Sequence, residues 1–171
     1  EPWLNERGFI TGHYPQSFDL AQMGGLVATR SIGQFSTKYG GIENLVLGIE
    51  AVLPNGEIIN IKSNPRRAVG PDLLQLWIGS EGMLGIITNI TIKVFPEPEE
   101  RWLQAYAIPT MEEGLEAIRN VMRSGYTPAV ARLHDWLECE KPYGAFMNEG
   151  ECILLFLSEG SKELCDIESS G

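Results

Sequence analysis

The chain has 171 residues, 43% of them hydrophobic and 21% charged, with a formal net charge of −10. That composition suits one moderate globular domain or two small ones. The acidic balance argues against nucleic acid as a partner, and no apolar run approaches the ~18 residues of a membrane-spanning helix.

No secretory signal is visible at the opening Glu-Pro-Trp. Cys139, Cys152 and Cys165 are odd in number and lack CxxC spacing, which fits reduced thiols in a cytoplasmic protein. There is no initiator Met, and both ends have the character of interrupted helices, so a piece of a longer protein is expected.

In chain order, EPWLNERG has the composition of a helix tail ending at Gly8. Residues 9–40 are rich in Gly, Ser, Thr and Gln, with little periodicity. A short helix is expected within LAQMGGLVATRSIGQ, although Gly24 and Gly25 would each cost it roughly 1 kcal/mol relative to Ala. A strand is expected over 45–53, a turn at Pro54-Asn55-Gly56 and a returning strand over 57–62. Asp72 is the expected N-cap of the short helix DLLQLWIG. GSEGMLG follows, and residues 85–95 alternate as a strand. The break FPEPEE, residues 95–100, divides a domain over 1–98 from one over 99–171.

Beyond the break, RWLQAYAIP is an expected strand. Thr110 with Glu113 forms a capping box, opening a helix that carries Leu115, Ile118 and Met122 on one face and ends at Gly125. Strands PAVARLHDW and ECILLFLSEG follow, then a helix from near Ser161. Strand, helix, strand, strand, helix is most of a ferredoxin-like unit. The fold class is therefore α+β.

GSEGMLG ends without GK[ST], so it is no P-loop, and it leads from helix to strand, so it is no dinucleotide fingerprint. Two readings remain open: a tight corner in a sheet, or backbone bared by small residues for a ligand to approach. Residues 15–41 offer many hydrogen-bonding side chains and five glycines with little regular structure, and long segments of that kind are commonly functional. His13 and His134, the only histidines, are too few for a metal cluster and are expected as satisfied core or surface residues; no metal site is expected. Alternation in AVARLHDW puts Arg132 on a face with Val130 and His134, where its charge is either solvated or aimed at an anion. Arg66 and Arg67 lie in a Pro-rich turn and are expected to be solvated.

The stretches GHYPQSFDLAQMGGLVATRSIGQFSTKYGGIENLVLGIEAVLPNGEII and GPDLLQLWIGSEGMLGIITNITIKVFPEPE resemble the FAD-binding domain of the PCMH-type, vanillyl-alcohol oxidase flavoprotein superfamily. Within it the likeness is to alkyldihydroxyacetonephosphate synthases and FAD-linked oxidases, including glycolate oxidase and D-lactate dehydrogenase proteins. AIPTMEEGLEAIRNVMRSGYTPAVARLHD resembles the start of that family's substrate (cap) domain. The resemblance implies the C-terminal half of a PCMH-type FAD-binding domain, followed by part of a ferredoxin-like cap domain.

It also implies noncovalent FAD, with contacts in three stretches. The first runs from Gln16 through Ser17 and Asp19 to Gln22, with Pro15 just ahead of it. The second comprises Thr29, Arg30, Ser31 and Ile32, with Gly25 just ahead of it. The third is Glu81, Gly82, Met83, Leu84, Gly85, Ile86 and Ile87. Gln16 stands where the family commonly has Asp and Ile32 where it commonly has Ser, changes that main-chain bonds would survive. Arg132 matches a functionally important Arg near flavin and phosphate-bearing substrate. The family's diphosphate loop would precede residue 1, and its catalytic Tyr and His pair would follow residue 171.

The activity implied is synthase-like: exchange of an alkyl for an acyl group on a dihydroxyacetone phosphate ester, in an enzyme that could be a homodimer. The alternatives are an FAD-linked oxidoreductase of a D-2-hydroxyacid such as lactate or glycolate and, in another class, a non-catalytic α+β ligand-binding scaffold.

Overall fold

The computed structural model describes residues 1–66 and 68–170, and the chain divides into two compact units, Glu1–Glu97 and Pro98–Gly171.

The first unit opens with α1 (Pro2–Asn5), whose Pro occupies a first-turn position where no N–H is needed. Then come β1 (Phe9–Ile10), α2 (Met23–Ala28), α3 (Ser36–Tyr39), α4 (Ile42–Leu45) and β2 (Val46–Val52). The unit continues with β3 (Ile58–Ile61), α5 (Leu74–Trp77), β4 (Ile86–Ile92) and β5 (Phe95–Pro96). Strands β3, β2 and β4 form an antiparallel sheet in that order, and β1 pairs with β5. The β2–β3 hairpin closes where Gly56 N–H donates to Leu53 O and Leu53 N–H to Glu57 O.

One face of this sheet meets the short helices. Val27, Ile42, Val46, Ile49, Ala51, Leu74, Trp77 and Ile78 form the core, with Ile87, Ile90 and Ile92 packed against it. The helix expected from Asp72 is shorter than DLLQLWIG. Its N-cap is Leu73, while Asp72 accepts from the Leu74 N–H at 3.1 Å as a local turn. The strand expected from residue 45 begins at Val46, because Ile42–Leu45 coils first to bury Ile42 and Leu45. Arg66 is exposed; Arg67 lies outside the described residues.

The second unit holds β6 (Glu100–Ile108), α6 (Met111–Arg123), β7 (Val130–His134), α7 (Trp136–Tyr143), a 3₁₀ turn at Gly144–Phe146, β8 (Cys152–Gly160) and α8 (Lys162–Ser170). Its sheet is antiparallel, in the order β6-β8-β7. Thr110 caps α6, accepting from the Glu113 N–H at 3.2 Å.

The buried face of α6 is turned by one residue from the expected one. Leu115 is 58% exposed, whereas Gly114 is buried. A Cβ on Gly114 would lie 2.6 Å from Leu133 Cδ1, so the bare glycine lets the helix seat on β7. Helix α7 adds an element that the hydrophobic pattern does not suggest, although Asp135 and Glu138 carry the capping spacing. The Glu138 N–H does donate to Asp135 Oδ1, at 3.0 Å. Among the described residues no helix is long and apolar enough to cross a membrane, and the three cysteines are buried and form no disulfide.

Candidate cofactor site

The site starts at the carboxyl end of α2. A helix end leaves carbonyls without partners, and the usual remedy is a glycine in the left-handed region. Here Arg30 takes that position with φ 51°. The Ser31 N–H donates to Leu26 O at 2.9 Å and the Arg30 N–H to Val27 O at 3.1 Å, the bond pattern of a Schellman motif. Two further donors come from a distant loop. The Gly79 N–H reaches Val27 O at 3.0 Å, and the Glu81 N–H reaches Ala28 O at 2.9 Å.

That loop is a second strained corner. Glu81 is also left-handed, with φ 48°, between Gly79 and Gly82 at φ 85° and 82°. A non-glycine residue held there costs of order 1–3 kcal/mol and persists only where its surroundings impose it. Gly85 is required by close approach, since a Cβ would stand 2.3 Å from Val52 O. The two corners are joined by a side chain as well: Arg30 Nη2 donates to Ile78 O at 3.1 Å. Ser80 lies between them, buried, and its hydroxyl has no partner.

From Gly85 the chain enters β4, where a bulge decides which isoleucine faces out. Glu50 pairs with Asn89 but Ala51 with Ile87, so Thr88 is the extra residue. The shift turns Ile87 toward the core and leaves Ile86 72% exposed. The start of α2 lies along the same strand. A Cβ on Gly24 would stand 3.0 Å from Ile87 O, and a groove of ≈ 380 Å³ runs between Gln22–Gly24 and Ile87–Ile92.

The second and third stretches singled out in the sequence are thus brought together, with Gly25 and Gln22 on the helix between. The first is less closely tied. Pro15 is buried, while Gln16, Ser17 and Asp19 sit exposed on turns leading to Gln22, the N-cap of α2. Among the described residues, no hydrogen bond joins Gln16–Asp19 to the Gly79–Ile87 corner.

A flat, partly polar ring system needs an apolar wall, bare backbone and free donors. Met83 (80% exposed), Ile86 and Ile32 (63% exposed) supply apolar surface, and Leu84 adds to it. Gly25 and Gly82 have nothing within 4 Å of the space a Cβ would take. Among the described residues, the Gly82 and Leu84 N–H groups have no partner. These residues fit FAD. The wall is built from one helix end and one strand entry, neither of which is a phosphate cradle.

His13 corrects the sequence reading. It is buried, and both ring nitrogens lack partners. Burial holds its pKa below the usual value, a shift that Glu43 opposes in part. A Cβ on Gly33 would come 3.1 Å from His13 Nδ1, so the ring is pressed against the turn that follows Ile32. No signal in the sequence marks His13 or Ser80 in this way.

Arg132 belongs to the second unit. It pairs with Leu155 on β8 and is half-buried, on the sheet face opposite Leu133 and α6. Its neighbour on that face, His134, meets Glu138 Oε2 through Nδ1 at 2.6 Å. Arg101 and Glu159, paired across β6 and β8, form a 2.8 Å salt bridge.

Residues 1–62 match the FAD binding domain family. The chain is 47% identical to the uncharacterized FAD-linked oxidoreductase YgcU of Escherichia coli (strain K12), over 98% of this chain and 35% of that protein. It is 41% identical to the alkyldihydroxyacetonephosphate synthase of Caenorhabditis elegans, over 79% of this chain and 23% of that one. It is 40% identical to the D-lactate dehydrogenase of Archaeoglobus fulgidus, over 61% and 24%. A solved structure of alkyldihydroxyacetonephosphate synthase superposes with a TM-score of 0.86 at 27% identity, covering 99% of this chain and 34% of that one. The chain therefore spans about a quarter to a third of the length of these relatives. Residues 1–62 thus match the FAD-binding domain family, and over nearly its whole length the chain is similar in sequence and fold to FAD-linked oxidoreductases and alkyldihydroxyacetonephosphate synthases.

Proposed function

We propose that this chain is part of an FAD-dependent enzyme that exchanges an alkyl for an acyl group on a dihydroxyacetone phosphate ester. The paired corners carry the reading: two left-handed non-glycine residues, Arg30 and Glu81, hold bare backbone beside exposed Met83 and Ile86. Strain kept at such a place suits a ligand wall better than a plain turn. FAD, when bound, supplies the electron-accepting ring on which flavin chemistry depends.

In this reading the chain's own residues position that ring and keep water from it. The Gly82 and Leu84 N–H groups would supply hydrogen bonds to it, and Met83, Ile86 and Ile32 would supply apolar surface. The second unit is the start of a substrate domain, and Arg132 holds an anionic group of the substrate, a role its planar guanidinium suits. The synthases among the relatives support this branch.

The D-lactate dehydrogenase among the relatives supports a second reading, oxidation of a D-2-hydroxyacid. Absorbance of the full-length protein under anaerobic conditions separates the readings. The synthase reading expects a yellow protein whose flavin bands persist when D-lactate or glycolate is added. Bleaching by either acid sinks it in favour of the oxidoreductase. A colourless protein that takes up no added FAD sinks both.

A further inference from the structure

We infer that Arg30 is a positioning residue that latches the two walls of the cofactor site into one unit, rather than a group that contacts the cofactor with its charge. The inference rests on the FAD reading given above. Arg30 occupies the left-handed position that ends α2, where glycine is the usual choice. A residue with a long side chain at that position calls for a compensating role. Its guanidinium donates to Ile78 O, the carbonyl just ahead of the Gly79–Glu81 corner. A Cβ on Gly79 would lie 3.2 Å from Arg30 Nε, so the two corners are already in close packing contact.

The latch closes around backbone bonds that join the same two corners. Gly79 and Glu81 donate to Val27 O and Ala28 O, completing the end of α2 from a distant part of the chain. Neither corner is a favourable conformation alone, because Arg30 and Glu81 both sit at positive φ. Each holds the other in place, so the bared backbone after Glu81 is fixed by the turn after α2. Pre-forming a site removes an ordering cost that would otherwise weaken binding. The expected consequence is that the third stretch loses its geometry when only Arg30, in the second, is changed.

The test compares Arg30→Asn and Arg30→Lys with the wild type in the full-length protein. Asn tolerates the left-handed conformation but cannot reach Ile78 O; Lys keeps a long donor. The first readout is hydrogen exchange of peptides spanning Gly79–Met83 in FAD-free protein. Faster exchange in Arg30→Asn, largely restored in Arg30→Lys, is the expected result. The second readout is FAD affinity by flavin fluorescence, expected to weaken about tenfold in Arg30→Asn and to recover in part with Lys. Unchanged exchange at Gly79–Met83 overturns the latch, and weakened FAD binding with unchanged exchange would assign Arg30 to direct contact instead. Faster exchange with unchanged FAD affinity overturns the positioning role. A wild type that binds no FAD overturns the cofactor reading and the positioning role with it, while the exchange data still decide whether the latch exists.

Discussion

The Thr88 hydroxyl shares its one proton between Glu50 Oε1, at 2.9 Å, and the Glu50 backbone O, at 3.3 Å. Those bonds hold the extra residue of the β4 bulge outside the core. Without the bulge, strict alternation would put Ile86, residue 88, Ile90 and Ile92 on one face. The polar hydroxyl at 88 is what makes that register unfavourable, since a one-residue slip moves every side chain to the other face. Thr88→Val removes the bonds and offers an apolar side chain that suits the slipped register. FAD affinity is expected to fall about tenfold, because Ile86 turns inward, while stability from urea denaturation changes by less than about 1 kcal/mol. A fluorescence titration showing wild-type FAD affinity would refute this role for the bulge.

Gly25 separates a cofactor wall from a plain corner. It lies within α2 and has nothing within 4 Å of the space a methyl group would take. In the protein alone, Gly25→Ala should therefore stabilise by roughly 0.5–1 kcal/mol, the ordinary helix preference for Ala. If FAD lies over this backbone, the same methyl group weakens its binding. A raised Tm with a poorer FAD Kd is the expected pair of results. A raised Tm with unchanged FAD affinity would place the ligand elsewhere.

The sequence displays what local rules encode. Thr110 and Glu113 mark the start of α6, and the Gly-rich run before β4 is legible as a place of close backbone approach. Pairing across long separations is not legible. Nothing near Arg30 shows that it takes a glycine's conformation, because the donors that complete its helix end lie at Gly79 and Glu81. The buried face of α6 differs from the expected one because the seat for Leu133 is a glycine, which carries no hydrophobic signal. The family resemblance points to the stretches of the site, and only the structure shows how two of them lock together.

His13 makes stability depend on pH. Burial lowers its folded-state pKa below the unfolded value of 6.5. The unfolded chain therefore binds the proton first, and stability rises with pH across that window. The contribution is complete above the unfolded value and is lost as pH falls through the folded one. His13→Leu removes the titration at a buried site where both ring nitrogens already lack partners. Urea midpoints at pH 7.5 and 5.5, values of about one unit either side of the ordinary histidine range, should differ less in the variant than in the wild type. An equal difference in both would mean that His13 is not buried neutral.

Arg101 and Glu159 join β6 to β8 with unequal exposure: the Glu159 side chain is 0% exposed and that of Arg101 47%. The energetic weight therefore falls on the carboxylate, which has lost its water. Removing only the arginine takes a partner from a buried carboxylate, a loss that reaches about 3–5 kcal/mol for fully buried pairs. Water can still reach the Arg101 side, so about 2 kcal/mol is the expected cost of Arg101→Met after screening. Replacing both, as Arg101→Met with Glu159→Leu, removes the buried carboxylate along with the bridge. The double variant is expected to be more stable than Arg101→Met alone, with chemical denaturation as the measure. If the double variant is the less stable of the two, the carboxylate is held by its remaining partners, and the bridge to Arg101 is a minor part of its support.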